Sequence, residues 1–183
     1  LVEDSHSRSV DDDITFLLQV GFLLSTGAGV SGVACIEEMI ASREELVPQL
    51  PLPIFLYNMP SHVKVNFAPE TVARLAKMPQ VLGLKDSSAN AVYFQSVMHA
   101  ARKVNPNFAM LCGPEEMTGE LVLLGANGGV NGGANMFPEL YVAMYNAAKD
   151  HDIEKLISLQ KRIMQISTSI YTIGRHGSSY LLG

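Results

Sequence analysis

The 183-residue sequence predicts an α/β fold: a (β/α)8 TIM-type barrel with C-terminal helices, incomplete in its N-terminal half. Short apolar runs alternate with amphipathic helical patterns from residue 51 onward. This alternation is typical of βα units, whose strands pair in parallel through right-handed crossovers. No Gly-x-Gly-x-x-Gly turn follows the first of these strands, so the pattern does not favour a dinucleotide-binding sheet.

The predicted strands are apolar runs bounded by turn residues, as expected for strands buried on both faces. In chain order they are PIFLYN at 53–58, VLGLK at 81–85, FAMLCG at 108–113 and the weaker, glycine-rich GGVNGG at 128–133. Pro69 and Glu70 suit the first turn of the helix that follows the first strand. The helices are predicted at 68–78, 92–104, 115–125, 138–149 and 153–171. The methionines and the phenylalanines at 94, 108 and 137 are predicted to lie in the core.

The beginning of the chain does not supply the strands that a full barrel needs. Barrels of this class have about 250 residues, and few residues precede the first legible strand. The chain begins with Leu1, which suggests a fragment, a processed form or missing segments. We therefore expect a remnant of the N-terminal half at 1–50, C-terminal βα units of the barrel at 51–136 and a helical region at 137–183.

The net charge and the residue composition of the chain argue against several kinds of binding partner. The net charge of −5 and the isoelectric point near 5.5 argue against a nucleic-acid or anionic-membrane surface. The apolar run at 14–24 is too short to span a bilayer comfortably. Cys35 and Cys112 make no disulfide framework, which favours a reduced, cytoplasmic setting. The histidines lack metal-ligand spacing, so no metal site is predicted.

Three strand ends carry reactive or permissive residues at the edge where barrel enzymes place their active sites. They are Tyr57 with Asn58, Lys85 with Asp86, and Gly113. Burial at such an edge disfavours the ammonium form of a lysine, and a neutral amine is the nucleophile that forms a Schiff base with a ketone. A phenol beside the amine can carry protons. The residues alone also allow a solvated Lys85 beyond its strand and a half-buried Tyr57 in the core.

Four sequence blocks resemble one family. LPIFLYNMPS is similar to the Tyr-Asn-x-Pro segment of the dihydrodipicolinate synthase / N-acetylneuraminate lyase family, and VLGLKDSS resembles its Gly-(Ile/Leu)-Lys-(Asp/Glu)-Ser/Ala strand end. LCGPEEM and LLGANGGVNGGANMFPELYVAMYNAA are similar to the next two strand ends and the following helix. The blocks agree in order and spacing, and the resemblance covers about residues 51–183.

The resemblance implies a cofactor-independent lyase of the class I aldolase type, in which a lysine forms an imine with pyruvate or another 2-keto acid. It implies that Lys85 is the Schiff-base lysine and that Tyr57 relays protons. It also implies that Gly113 and Val130 line the substrate site. Members of the family are usually tetrameric, so the resemblance implies a homo-oligomer.

The sequence departs from the family pattern at the loop that binds the carboxylate of the keto acid. The family has Gly-(Thr/Ser)-Thr-Gly-Glu, and the resemblance implies that Ser25 and Thr26 are the binding residues of this loop. Gly27 also matches, but Ala28 stands where the glutamate belongs. The family's Pro-Tyr-Tyr segment has no counterpart, because no tyrosine precedes Tyr57.

Two other functions remain open from the sequence. The incomplete N-terminal half and the altered carboxylate loop allow a non-catalytic relative or fragment that acts by assembly or ligand sensing. The glycine run at 125–133 allows a phosphosugar-handling barrel, since backbone N–H groups can hold a phosphate. Elsewhere, Ser87 and Ser88 are predicted to cap the helix that begins near residue 92, and His62 is predicted to lie in a surface loop.

Overall fold

The computed structural model describes residues 21–24 and 52–172, in which strands alternate with helices. The strands are β1 (Gly21–Leu24), β2 (Ile54–Asn58), β3 (Val81–Asp86), β4 (Ala109–Cys112) and β5 (Gly128–Gly129). The α-helices are α1 (Pro60–Val63), α2 (Pro69–Leu75), α3 (Ala91–Val104), α4 (Thr118–Leu123), α5 (Pro138–Lys149) and α6 (Ile153–Thr172). A 3-10 helix at Gly132–Asn135 follows β5.

The five strands form one parallel sheet in chain order, β1-β2-β3-β4-β5. Parallel neighbours need a crossover connection, and helices α2, α3 and α4 lie on the connections from β2 through to β5. Because all strands run in one direction, their C-terminal ends meet at one edge of the sheet. We call this edge, formed by the ends of β2 to β5 at Asn58, Asp86, Cys112 and Gly129, the mouth.

Alternate residues of the strands face opposite sides of the sheet. On the side covered by helices, Leu56, Leu84 and Met110 are fully buried in the hydrophobic core. Burying an aliphatic or aromatic side chain of this size contributes about 1.5–3 kcal/mol. On the other side, the ring of Phe55 lies against Gly83, where a side chain would collide with the ring and with the backbone of β4. The absence of a side chain at Gly83 therefore allows the Phe55 ring and the backbone of β4 to pack closely on this second face.

The start of α3 corrects one sequence prediction. The side chain of Asn90 accepts a hydrogen bond from the backbone N–H of Tyr93 at 3.0 Å, which makes Asn90 the N-cap. Ser88 instead uses its hydroxyl to donate to Asp86. The prediction that Ser87 and Ser88 cap this helix is wrong, because an asparagine closer to the helix provides the cap.

Arg102 joins three segments at the edge of the sheet opposite the mouth. Its guanidinium donates to the carbonyls of Phe108, at 3.2 Å, and Gly125, at 2.9 Å. It also donates to the side-chain oxygen of Asn127 at 2.8 Å. That oxygen accepts a second hydrogen bond, from the N–H of Met110 on β4. One side chain thus ties the end of α3 to the segments that lead into β4 and β5.

Most predicted elements are present with shifted ends. The helix predicted at 115–125 spans Thr118–Leu123, and the run predicted as a strand at 128–133 is a strand only over its first two residues. Phe94 and Phe108 are buried, as predicted. Phe137 is 42% exposed, so its predicted place in the core is wrong. It occupies the N-cap position of α5, before the helix begins.

Candidate active site

Tyr57 and Lys85 lie side by side at the mouth. They are register partners on the neighbouring strands β2 and β3, and paired residues of parallel strands project to the same face. The Nζ atom of Lys85 lies 4.3 Å from the centroid of the Tyr57 ring. Both side chains are partly buried. The fold therefore brings together the amine and the phenol that sequence reasoning paired.

Ser87 joins this pair, although its position suggested only a helix cap. Its hydroxyl donates to the phenol oxygen of Tyr57 at 3.4 Å, and its backbone N–H donates to the carbonyl of Asn58 at 2.8 Å. The same hydroxyl lies against Gly113, where a Cβ atom would overlap it. A serine between a strand and a helix is typical of a cap. The contacts that set it apart come from two neighbouring strands, which local sequence does not show.

A second contact fixes the phenol of Tyr57. Its O–H donates to the sulfur of Met59 at 2.6 Å. A thioether is a weak acceptor, so a substrate oxygen can replace it without a large cost in hydrogen-bond energy. Met59 was missed from sequence, because a methionine after a strand is usually a core residue.

Gly113 and Val130 complete the described rim of the mouth. The N–H of Gly113 donates to the carbonyl of Asp86 at 2.7 Å, and the N–H of Val130 donates to the carbonyl of Cys112 at 2.8 Å. The side-chain amide of Asn131 donates to the carbonyl of Gly113 at 2.9 Å. Backbone hydrogen bonds thus hold both predicted residues at the strand ends that follow β3.

Two buried polar side chains lie one residue beyond the reactive pair. The amide of Asn58 donates to the carboxylate of Asp86 at 2.8 Å. Desolvation by burial raises the pKa of the Asp86 carboxyl above its ordinary value, while hydrogen bonds from Asn58 and Ser88 act in the opposite direction. The carboxyl group of Asp86 is therefore held at the strand end next to Lys85, on the opposite face of the sheet.

The arrangement combines an amine, a phenol and a hydroxyl at one edge of the sheet. An amine attacks carbonyl carbon, and the other two groups can pass protons. Over the described residues, no three His, Cys, Asp or Glu side chains are grouped to hold a metal ion. The thiol of Cys112 is buried, and burial raises its pKa to about 12, so it is not a nucleophile near neutral pH.

The remaining sequence predictions concern His62 and the loop predicted to bind the carboxylate. His62 is exposed and belongs to the short helix α1 rather than to a loop. Ser25 and Thr26, predicted to bind the carboxylate, lie outside the described residues, as do Ala28 and Cys35.

Between residues 52 and 172, none of the helices has the length and apolar character needed to cross a bilayer.

A parallel sheet whose strands follow chain order, with crossover helices and with reactive side chains at the C-terminal strand ends, is typical of the class of (β/α)8 TIM-type barrel proteins. The described residues form five strands of this fold. The chain belongs to the dihydrodipicolinate synthetase family, whose sequence model matches residues 35–175. The predicted fold class and the family resemblance are thereby confirmed.

Among the curated relatives of this chain, one is named an aldolase and another a synthase. The chain is 30% identical over 131 residues to a probable 2-dehydro-3-deoxy-D-pentonate aldolase of Escherichia coli, a match that covers 71% of this chain and 43% of the relative. It is 32% identical over 122 residues to the 4-hydroxy-tetrahydrodipicolinate synthase of Hyphomonas neptunium, covering 66% and 41%. The chain therefore spans less than half the length of these relatives.

Solved structures show the same fold. Dihydrodipicolinate synthase from Bacteroides thetaiotaomicron superimposes with a TM-score of 0.79 at 61% identity, over 87% of this chain and 52% of that one. The Escherichia coli protein YagE, solved in complex with pyruvate, superimposes with a TM-score of 0.75 at 23% identity, over 84% and 50%. At that identity the likeness to YagE is evidence of fold alone.

Proposed function

We propose that the chain acts as a Schiff-base-forming lyase or aldolase on pyruvate or another 2-keto acid, with Lys85 as the nucleophile and Tyr57 as the proton carrier. The observation that carries this proposal is the position of Lys85 Nζ, 4.3 Å from the Tyr57 ring at neighbouring strand ends. Membership of a family whose named relatives are synthases and aldolases supports it.

The chemistry begins with the amine. The neutral amine of Lys85 attacks the keto carbon to give a carbinolamine, which loses water and becomes an imine. The imine draws electrons from the adjacent carbon, so a bond to that carbon can form or break while an enamine holds the electron pair. The phenol of Tyr57 is placed to protonate the departing hydroxyl group of the carbinolamine, and the resulting phenolate then accepts the proton that is released when the enamine forms. Ser87 and Met59 keep the phenol oriented.

We propose that Gly113 and Val130 line the substrate site beside the imine. Both lie on the two strand ends that follow Lys85, and Gly113 presents backbone without a side chain. Ser25 and Thr26 are proposed to hold the carboxylate of the keto acid, as the family resemblance implies. The working form is proposed to be a cytoplasmic homo-oligomer, and light scattering of the purified chain measures its mass.

The phosphosugar alternative has no support within the described residues. A phosphate cradle needs free backbone N–H groups. In the glycine run, the N–H groups of Asn127 and Val130 already donate to carbonyls of β4, and the N–H of Gly133 donates to the carboxylate of Glu115. These donors are not available to a phosphate.

Reductive trapping tests the proposed function. Borohydride added with pyruvate should attach the reduced keto acid to a peptide that contains Lys85. Lys85→Ala should abolish the adduct, whereas Lys77→Ala, which removes an exposed lysine after α2, should leave it intact. A folded chain that gives no adduct on Lys85 with pyruvate or longer 2-keto acids would overturn the proposal.

A further inference from the structure

Asn58 and Asp86 follow Tyr57 and Lys85 directly, and they are also register partners. Since side chains alternate along a strand, they project to the face opposite the reactive pair. Their exposures are 0% and 2%. Buried amides and carboxylates are costly unless they are hydrogen-bonded, so a polar pair in this place is maintained by specific contacts.

The contacts of this pair reach four parts of the chain. Asn58 Nδ2 donates to Asp86 Oδ1 at 2.8 Å and to Asn66 Oδ1 at 3.0 Å, and Asn58 Oδ1 accepts from the N–H of Phe67 at 3.2 Å. Asp86 also accepts from Ser88, at 3.0 Å from its N–H and at 2.8 Å from its hydroxyl. The pair therefore connects the end of β2, the segment before α2, the end of β3 and the turn before α3.

Because Asn58 and Asp86 lie next to Tyr57 and Lys85, their contacts affect the geometry of the mouth. A hydrogen bond between the last register-paired residues of two strands fixes their relative height and rotation. Tyr57 and Lys85 stand one residue earlier, so any shift of the strand ends moves the phenol relative to the amine. Displacements of about 1 Å at reacting groups change rates by about a hundredfold.

We propose that Asn58 and Asp86 are positioning residues for imine formation, and that their buried amide–carboxylate hydrogen bond holds the phenol of Tyr57 against the amine of Lys85. This role rests on the proposed function of the same site. Both side chains act through their neighbours, because they lie on the opposite face of the sheet from the mouth's reactive groups. The role requires an amide donor at position 58 and an acceptor oxygen in the place of Asp86 Oδ1.

Three variants of the 183-residue chain separate this role from simple stability. Asn58→Asp removes the amide donor and places two carboxylates in contact, and Asp86→Leu removes the acceptor. Asp86→Asn keeps an oxygen in the place of Oδ1 that can still accept from Asn58 and from the N–H of Ser88, so it is the conservative variant. The rate of borohydride trapping on Lys85 at fixed pyruvate, divided by the folded fraction from circular dichroism, is the readout.

Asn58→Asp and Asp86→Leu are each expected to slow trapping at least about tenfold per folded molecule while the adduct still forms on Lys85. Asp86→Asn is expected to stay within about fivefold of the wild type, because the hydrogen bond between the two strand ends remains. A purely structural role would lower the thermal midpoint without changing the rate per folded molecule. Asn58→Asp and Asp86→Leu variants that trap at the wild-type rate would overturn the positioning role.

Ser88→Ala is the matched control. It removes a hydroxyl that donates to the same carboxylate and accepts from the N–H of Asn90, and it leaves the contact between Asn58 and Asp86 in place. Trapping within about twofold of the wild type is expected, and a loss equal to that of Asp86→Leu would contradict the pair as the cause. If Asn58→Asp or Asp86→Leu does not fold, Asp86→Asn decides, because a folded Asp86→Asn chain that traps about a hundredfold more slowly than the wild type also overturns the role. A wild-type chain without any adduct identifies failure of the proposed function instead.

Discussion

The hydroxyl of Ser87 occupies the space that a side chain at position 113 would need. A Cβ atom built on Gly113 would overlap Ser87 Oγ and would lie 3.0 Å from both the carbonyl oxygen of Asp86 and the Cβ of Ser87. The same hydroxyl donates to the phenol of Tyr57. The glycine after β4 is thus connected to the phenol at the end of β2 through one serine.

Gly113→Ala is therefore expected to displace Ser87 and to weaken its hydrogen bond to Tyr57. Overpacking of this kind costs about 1–3 kcal/mol of folding free energy. We expect turnover to fall together with stability, as measured by urea denaturation and a lyase assay. In the double variant S87A/G113A the worst overlap is gone, so its stability loss should be smaller than the sum of the two single losses. Strict additivity would contradict the contact.

Tyr57→Phe separates the ring from its hydroxyl. The phenylalanine ring can keep its contact with the Lys85 amine, but it carries no proton. Loss of a general acid–base group lowers turnover by about 10²–10⁴-fold. We expect a loss in this range while borohydride still traps an adduct on Lys85. Ser87→Ala removes one partner of the phenol and should cost less than about tenfold. Near wild-type turnover of the phenylalanine variant would exclude Tyr57 as the proton carrier.

Gly83→Ala is expected to destabilise the sheet by about 1–3 kcal/mol, because the added methyl group meets the ring of Phe55 and the carbonyl of Ala109. The carbonyl belongs to the neighbouring strand and cannot rotate away. Phe55→Leu should therefore not rescue the alanine variant, although it makes room on one side. Urea denaturation measures both values, and full rescue by the leucine would show that the ring alone is responsible.

The raised pKa of Asp86 predicts a pH-dependent stability. The folded chain keeps the proton of this carboxyl to a higher pH than the unfolded chain, whose ordinary value is 3.8. Its contribution to stability is therefore greatest below that value and falls as pH rises through the raised pKa. Asp86→Asn has no such proton. The free energy of unfolding of the wild type minus that of this variant should therefore decrease as pH rises from about 4 toward neutrality. A constant or growing difference would contradict the direction of the shift.

The thiol of Cys112 is expected to be unreactive in the folded chain. Its pKa is raised to about 12 by burial, so the reactive thiolate is scarce. Iodoacetamide at about pH 8 should label this cysteine only after denaturation, and peptide mass spectrometry distinguishes it from Cys35. Complete labelling in denaturant is the control. Rapid labelling of the native chain would show that the site opens locally.

The strands and the reactive pair could be predicted because their signals are local. Apolar runs of strand length stand out between amphipathic helices, and Lys85 interrupts such a run at its end. Once the strands are known to be parallel, Tyr57 and Lys85 must lie at one edge. Family resemblance added their proposed roles, which the spacing alone left open.

The places of Ser87 and Phe137 could not be predicted in the same way. Ser87 differs from an ordinary cap through its contacts with Tyr57 and Gly113, which belong to other strands. Phe137 looks like a core residue in sequence, yet its position before the first turn of α5 leaves it 42% exposed. In both cases the outcome depends on how segments distant in sequence pack together, which a local pattern does not record.

Arg102 gives the two edges of this sheet different tolerances to change. At the edge opposite the mouth, two of the three acceptors of the Arg102 guanidinium are backbone carbonyls, so substitutions of side chains other than Asn127 leave these acceptors in place. The mouth depends on side chains that touch one another. In the proposed lyase, new substrate preferences could therefore arise by exchanging residues at the mouth while Arg102 keeps α3 joined to the segments that lead into β4 and β5.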